Sequence, residues 1–324
     1  SIFPVNNCEN ESLNGIPENQ AVQKLIKELA ANPNLEVMVN TSVFGLYEDN
    51  LVAAQSGPDL FKIRAESVVL APGATDRHLV FENNDRPGIL TARGVEKLIM
   101  CHAVLPGEDT VVVTTHDGGF HTALLLKGAG ANVVAVVDGR ESGSVGEFEE
   151  QVRNLAIPVY KGLTVHAAHG TKRIRRVDVG PASGGDSHQS FNCDLLVMAV
   201  GFKPQVNLLS MGRKRPEWDA KRQVLRVNDL PSGMYSTGDV HGAAGFSRLY
   251  AEGMQSGKAA AQSATAPETE RTAEEIIMAL PADIESGGKH HFICKCMDVT
   301  RSEAQVSIEE GYDQVESLKR YSSL

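Results

Sequence analysis

Three short segments carry residues able to do chemistry. The first is Ser236-Thr237-Gly238-Asp239, which follows an apolar stretch and precedes a small-residue helix predicted over residues 250–261. A strand ending in Gly-Asp lets the backbone approach a phosphate or ribityl chain. The carboxylate then accepts a hydrogen bond from a ribityl hydroxyl, and the next helix points its N-terminal N–H groups at the same flavin. Gly245 and Phe246, just ahead of that helix, join the candidate site. Alone, the tripeptide equally fits a surface turn; its weight comes from what lies upstream. The second segment is Thr114-Thr115-His116-Asp117-Gly118-Gly119-Phe120. It lies between a predicted strand (110–114) and helix (120–128), where a dinucleotide site places its phosphate loop. It is not a Gly-x-Gly-x-x-Gly run. Gly118 and Gly119 still permit tight turning, and the helix N-terminus can hold a pyrophosphate. Asp138 stands 24 residues after Thr114, at the end of the next predicted strand (133–137). A carboxylate there suits a free ribose 2′-hydroxyl and repels a 2′-phosphate, favouring NAD over NADP; Arg140 nearby weakens that preference.

The third segment is Cys294-Lys295-Cys296, half of a metal or cluster site. An iron–sulfur cluster takes four thiolates as a rule. Cys8, Cys101 and Cys193 lack partner spacing, so a second pair would lie past Leu324. A zinc site using His290 or His291 and two reduced thiols are the alternatives. Upstream, Val68-Val69-Leu70-Ala71-Pro72-Gly73-Ala74 is a buried strand ending in a turn that brings Gly73 and Ala74 close to a cofactor; a plain strand-to-turn transition is the other reading. No Cys-x-x-Cys or Cys-x₄-Cys stands where a flavin-adjacent redox disulfide would, which argues against a disulfide reductase. No residue has the character of a substrate base, so no catalytic residue is assigned.

The elements that must position these segments follow from periodicity. Val22, Leu25, Ile26 and Leu29 fall at helical spacing, predicting an amphipathic helix over 18–31. Residues 35–39 read as a strand, 43–47 and 51–54 as a hairpin, and 61–65 leads into the strand at 67–73. From Pro87 the pattern alternates strand and helix, a βαβ order that argues for a parallel sheet covered on both faces. Val159 and Val165 open further strands, 182–188 is a Gly/Ser-rich turn, and 193–200 is a buried strand capped by Gly201. Residues 264–275 read as a polar linker. A small module follows from 292: a Cys-rich start, a helix over 302–310, and Gly311 as its C-cap.

Composition is that of an ordinary globular protein: 324 residues, 42% hydrophobic and 22% charged. The net charge of −10 makes nucleic acid an unsuitable partner. The basic run Lys172-Arg173-Ile174-Arg175-Arg176 reads as a solvated hairpin face. No apolar run approaches the ~20 residues needed to cross a bilayer, no signal peptide is evident, and five Cys without framework spacing indicate a reducing, cytoplasmic setting. The chain opens on Ser and stops at Leu324 without a closing Gly or Pro, so it reads as part of a longer polypeptide.

The order of motifs resembles one family. Asn32-Pro33-Asn34-Leu35-Glu36-Val37, the hairpin 41–50, Ala71-Pro72-Gly73-Ala74 and Val80-Phe81-Glu82-Asn83-Asn84-Asp85-Arg86-Pro87-Gly88-Ile89 resemble the α subunit of heterotetrameric sarcosine oxidase and its dye-linked dehydrogenase relatives. Thr114-Thr115-His116-Asp117 is similar to that family's Thr-Thr-Asn-Asp loop, with His116 in place of Asn, and residues 135–140 are similar to its next strand. The resemblance implies an α/β, disulfide-reductase-like flavoprotein fold with two dinucleotide-binding domains, present in part. A FAD-type domain would cover 1–86 and 204–263, an inserted NAD-binding Rossmann-like domain 87–203, a linker 264–291, and the start of a [2Fe–2S]-binding module 292–324. It further implies an oxidoreductase acting on CH–NH groups within a hetero-oligomer, with a β-type flavoprotein subunit as partner and a small secondary amine such as sarcosine as substrate. Family members with such a Cys-x-Cys continue to a second pair and hold a [2Fe–2S] cluster. The family's N-terminal Gly-rich βαβ is absent from this sequence. A non-catalytic NAD-binding scaffold and an NAD(P)H-dependent reductase feeding an iron–sulfur partner are the alternatives.

Overall fold

The computed structural model describes residues 12–13, 16–141, 145–184, 189–211, 215–220, 224–227, 230–242, 245–263 and 290–324. Cys8, the linker expected over 264–291 apart from its last two residues, and part of the turn at 182–188 lie outside them. The chain divides into two compact units, Ser1–Thr75 with Phe202–Glu275 and Asp76–Gly201 with Ile276–Leu324. The exchanges at 75/76 and 201/202 precede the 86/87 and 203/204 read from sequence. The first comes early because Leu79 and Phe81, 3% and 0% exposed, belong to the core of the second unit.

The second unit is built on a five-stranded sheet in which every neighbour pair is parallel. Its spatial order is Val159–Lys161, Asn132–Asp138, Asp109–Thr114, Leu195–Ala199, Ile89–Thr91. These strands are short runs of β-branched and aliphatic residues, as a sheet buried on both faces requires. Period-two alternation, interrupted by a bulge between Val133 and Ala135, divides their side chains. Val112, Val133, Val136 and Val197 pack with Val95, Phe120, Ala123, Leu126 and Val152 from the helices Ala92–His102, Gly118–Gly128 and Glu147–Asn154. Val111, Val113, Ala135, Val137, Leu196 and Met198 face the other way, against an antiparallel meander of Leu163–His169, Arg176–Pro181 and Gln189–Asn192. The expected double cover is therefore present, with helices on one face and a second sheet on the other. Each fully buried Val or Leu here contributes about 1.5–3 kcal/mol relative to exposure. The basic run 172–176 lies in the first connection of that meander, but Ile174 is wholly buried. It fills the space beside Gly88, where a Cβ would stand 2.6 Å from the Asp194 carbonyl oxygen and the φ of +97° already demands glycine.

In the first unit, the helix Glu18–Ala30 and the antiparallel strands Ser42–Tyr47, Leu51–Ser56 and Asp59–Arg64 form as their periodicity predicts. Residues 35–39, expected as a strand, are irregular. Leu35, Val37 and Val39 are 43%, 62% and 71% exposed, and no strand among the described residues pairs with them. An extended segment without a partner gains no ladder to hold it. Val68–Leu70 and Met234–Ser236 pair in parallel, and the helix Phe246–Ala261 is tied to them by a hydrogen bond from Ser67 Oγ to the Ala260 carbonyl, 2.9 Å. Leu46, Leu70, Val206, Leu209, Met234 and Val240 close this unit's core.

Residues 290–324 hold the hairpin Phe292–Cys294/Val299–Thr300 and the helices Arg301–Glu309 and Val315–Ser322. Thr300 and Glu303 cap the first of these helices reciprocally, and Gly311 follows it with φ +99°. No helix among the described residues is long and apolar enough to cross a membrane.

Candidate functional site

The strand Asp109–Thr114 ends at the C-terminal edge of the parallel sheet, the edge at which open α/β sheets bind ligands. From there the chain turns through Thr115, His116 and Asp117 into the helix Gly118–Gly128. Thr114 organises the turn. Its Oγ1 donates toward the carbonyls of His116 (2.6 Å) and Ala199 (3.0 Å), and receives the His116 N–H at 3.2 Å. The Thr115 N–H reaches the Ala199 carbonyl, which ties the loop to the neighbouring strand Leu195–Ala199. Gly119 is the point of closest approach. A Cβ there would collide with the Thr114 side chain and stand 3.1 Å from Ala199 Cβ. Only glycine lets the helix lie this close to the sheet, the service that the last glycine of a dinucleotide fingerprint performs. Gly119→Ala is expected to cost about 1–3 kcal/mol of stability through overpacking, read as a lower urea midpoint; an unchanged midpoint would show that the helix can simply move away.

His116 stands where the resembling family has Asn. Its Nδ1 accepts the Gly118 N–H at 3.1 Å, the bond an Asn side-chain oxygen makes in an Asx turn. A Cβ on Gly118 would meet the ring at 2.8 Å, so histidine and glycine fit as a pair. Burial, followed by the nearby Arg140 guanidinium, lowers the His116 pKa to about 4. The ring is neutral near pH 7 and carries its proton on Nε2.

Behind the loop runs a chain of alternating charges. Arg140 donates to Asp138 through Nε (3.0 Å to Oδ1, 3.1 Å to Oδ2) and Nη2 (2.9 Å to Oδ2), and Nη2 also reaches Asp117 Oδ1 at 2.9 Å. Lys161 Nζ lies 2.8 Å from Asp138 Oδ2 and 2.6 Å from Glu149 Oε2; Arg153 Nη2 lies 2.8 Å from Glu149 Oε1. Burial pushes the Asp138 carboxyl up, but the hydrogen bonds from Arg140 and Lys161 outweigh it and hold the group below the usual carboxylate range. Glu149 is held low in the same way by Lys161 and Arg153.

The Asp138 side chain is wholly buried and both of its oxygens are engaged. It does not present a carboxylate to a ribose hydroxyl, as the spacing of 24 residues led us to expect. The reason lies one strand away. The parallel register sets Asp138 opposite Lys161, and Arg140 folds back from two residues on. Lys161, Glu149 and Arg153 escape a reading of the loop alone; the register of Val159–Lys161 is the signal that finds them. Phe120 was placed at the site by sequence, but its side chain is fully buried in the helix-side core, where Lys161 Nζ lies 5.4 Å from the ring centroid. Thr114, Thr115, Asp117, Gly118, Gly119, Asp138 and Arg140 do gather at one edge of one unit. The Gly119 approach and the helix N-terminus fit a nucleotide pyrophosphate. Gly201, φ +98°, follows the neighbouring strand and accepts the Arg77 N–H.

In the first unit, Val68–Leu70 and Met234–Ser236 run parallel, so Gly73 and Gly238 follow the same edge of one small sheet. Both have positive φ, +72° and +86°, and a Cβ on either would meet nothing within 4 Å, while their carbonyls accept the Gln205 and His241 N–H groups. Ala74 opens the strand Ala74–Asp76, Asp239 opens a single 3-10 turn, and Gly245 precedes the helix Phe246–Ala261. Gly73 and Gly238 thus lie at one sheet edge, where the sequence reading sets the flavin-side residues. The sequence contains no Gly-x-Gly-x-x-Gly to add to it.

Cys294 Sγ and Cys296 Sγ converge to 3.0 Å. Among the described residues no group of three or more His, Cys, Asp or Glu is placed to hold a metal ion, so neither His290 nor His291 completes a zinc site with them. Cys193 is buried away from this pair, and burial, with Asp194 and Asp109, pushes its thiol up to about 12.

A family model described as pyridine nucleotide-disulphide oxidoreductase matches residues 6–264. The chain is 28% identical to the sarcosine oxidase subunit alpha of Rhizobium meliloti (strain 1021) over 91% of its own length and 31% of that protein. It is 28% identical to the subunit of the same name from Corynebacterium sp. (strain P-1), over 97% and 36%. The chain thus spans about a third of the length of these curated relatives. Among solved structures, L-proline dehydrogenase from P. horikoshii is similar with a TM-score of 0.71 and 20% identity, covering 98% of this chain and 61% of that one. Thioredoxin reductase from T. acidophilum is similar with a TM-score of 0.54 and 16% identity, over 72% and 75%. These likenesses establish the fold as that of the two-dinucleotide-domain flavoproteins.

Proposed function

The chain belongs to the pyridine nucleotide-disulphide oxidoreductase family, and from that premise we propose that it is the dinucleotide-binding part of an oxidoreductase subunit acting on a secondary amine or imino acid. The observation that carries this reading is the similarity to sarcosine oxidase alpha subunits along nearly the whole chain. In this reading NAD is seated at Thr114–Phe120, with its pyrophosphate toward the N-terminus of the helix Gly118–Gly128. FAD lies along the Gly73 and Gly238-Asp239 edge. A flavin on the partner subunit would accept hydride from a carbon beside nitrogen, while the residues of this chain would bind and orient the dinucleotides that relay the electrons. Cys294 and Cys296 would be two of the four ligands of a [2Fe–2S] cluster. The amine itself would react on a β-type flavoprotein partner in a hetero-oligomer, in a cytoplasmic setting.

The test is turnover by the protein in its native assembly, followed as dye or oxygen reduction with sarcosine, proline and a primary amine. Saturable reduction with a secondary amine or imino acid is the expected result. No amine-dependent reduction, together with rapid NADH-dependent reduction of an iron–sulfur acceptor, would replace this reading with that of a reductase.

A second reading, an NAD-binding scaffold without turnover, is favoured by one feature. The only histidine in the phosphate loop, His116, is neutral near pH 7 and its Nδ1 is taken by the Gly118 N–H, so that ring is not placed to move a proton. Stoichiometric NAD that neither exchanges nor is reduced during amine turnover would support it.

A further inference from the structure

The Asn83-Asn84-Asp85-Arg86-Pro87-Gly88 run has a use that the dinucleotide site does not absorb. Asn83 sits in the left-handed region, φ +58°, which Asn tolerates better than most residues. Its side-chain amide donates to the Ala168 carbonyl at 2.9 Å and accepts from Arg86 at 3.1 Å, which fixes the turn on the antiparallel meander. That leaves two backbone groups and one side chain facing residues more than 200 positions away. The Asn83 N–H donates to the His290 carbonyl at 2.8 Å. The Asn84 side chain, 1% exposed, accepts the Phe292 N–H at 3.1 Å and donates to the Phe292 carbonyl at 2.9 Å, pairing with that residue as a neighbouring strand would. Its Nδ2 also donates to the Leu79 carbonyl at 3.1 Å. The Asn84 carbonyl receives Lys295 Nζ at 2.7 Å.

His290, Phe292 and Lys295 are therefore all held by two adjacent asparagines, and the held residues bracket Cys294, with Cys296 next in sequence. We propose that Asn83 and Asn84 form a receptor for the hairpin carrying Cys294 and Cys296, positioning the converged thiol pair on the dinucleotide-binding unit. A primary amide carries an acceptor and two donors on one planar group, so it can accept the N–H and bond the carbonyl of one residue at once. Aspartate at 84 keeps the acceptor and loses both donations; alanine leaves the Phe292 N–H and carbonyl unpaired. The inference stands whatever the sulfurs bind, and so does not depend on the amine-oxidising reading.

Hydrogen exchange and thiol alkylation on the native protein test it. In Asn84→Ala, the amides of residues 292–294 are expected to exchange at least ~10-fold faster, the scale of one lost charge-free hydrogen-bond pair at about 1.4 kcal/mol, while those of 109–114 and 132–138 keep their rates. Alkylation of Cys294 relative to the exposed Cys101 is expected to rise several-fold in the reduced protein. Lys295→Met should give a smaller change confined to the same segment, and it carries the test if the alanine variant does not fold. Unchanged exchange at 292–294 in the folded variants overturns the proposal. Acceleration spread equally through the parallel sheet also overturns it, because Asn84 would then be a general stabiliser of the unit.

Discussion

Asp138→Ala is expected to destabilise the second unit by about 3 kcal/mol, the lower end of what breaking a buried ion pair costs. The carboxylate is wholly buried and bonded by the Arg140 guanidinium, the Arg140 N–H and the Lys161 ammonium. Its removal strips one partner from each of two partly buried cations, Arg140 and Lys161. The cost stays at the lower end because each keeps another: Lys161 retains Glu149 at 2.6 Å and Arg140 retains Asp117 at 2.9 Å. Urea unfolding monitored within the second unit reads the effect, and NAD affinity is measured beside it. A structural carboxylate loses stability first, with affinity falling only as the loop loosens. A ribose ligand does the reverse: affinity falls by ~10-fold or more, the scale of a charge-assisted hydrogen bond, with stability nearly intact. That second pattern would mean that Arg140 swings aside when a dinucleotide arrives.

Acidification between pH 6.5 and 4 is expected to remove about 3 kcal/mol through His116 alone. The ring has a folded pKa of about 4 against an ordinary 6.5. Between those values the unfolded chain takes up a proton that the folded loop refuses. Stability is therefore complete above 6.5, falls as pH drops through the window, and reaches its full loss below 4. Asp138 and Glu149 act in a different window. Their folded values lie below the ordinary carboxylate range, so their contribution is intact above it and is lost only at still lower pH. His116→Asn separates the two. Asn can supply the acceptor for the Gly118 N–H without titrating, so unfolding free energies at pH 7, 6 and 5 should lose most of the wild-type slope. An identical slope in the variant would place the acid sensitivity elsewhere.

Much of the second unit is legible in the sequence because it is locally consistent. Val111-Val112-Val113 and Val133 to Val137 are β-branched runs too short for helices and too apolar for a one-sided sheet, and both become central strands. The loop between them declares itself through Gly118-Gly119 at a strand-to-helix junction. What stays hidden depends on register and on distant partners. Nothing local to Asp138 announces Lys161, because their pairing follows from how two parallel strands slide into place. Leu35-Glu36-Val37-Met38-Val39 has the alternation of a strand yet remains irregular, because alternation describes a strand only when another strand pairs with it. The Asp85-Arg86-Pro87 run reads as a crossing between domains. The structure adds that the two residues before it hold a hairpin from the far end of the chain, an arrangement no local pattern encodes.

The central claim is a dinucleotide seat at Thr114–Phe120, and residue-resolved NMR during titration with NAD tests it most directly. The account predicts saturable binding, with the largest shifts at the amides of Thr115, His116, Gly118 and Gly119, and competition by ADP-ribose. Saturable binding that leaves these amides unmoved, or no binding at millimolar NAD, would contradict it.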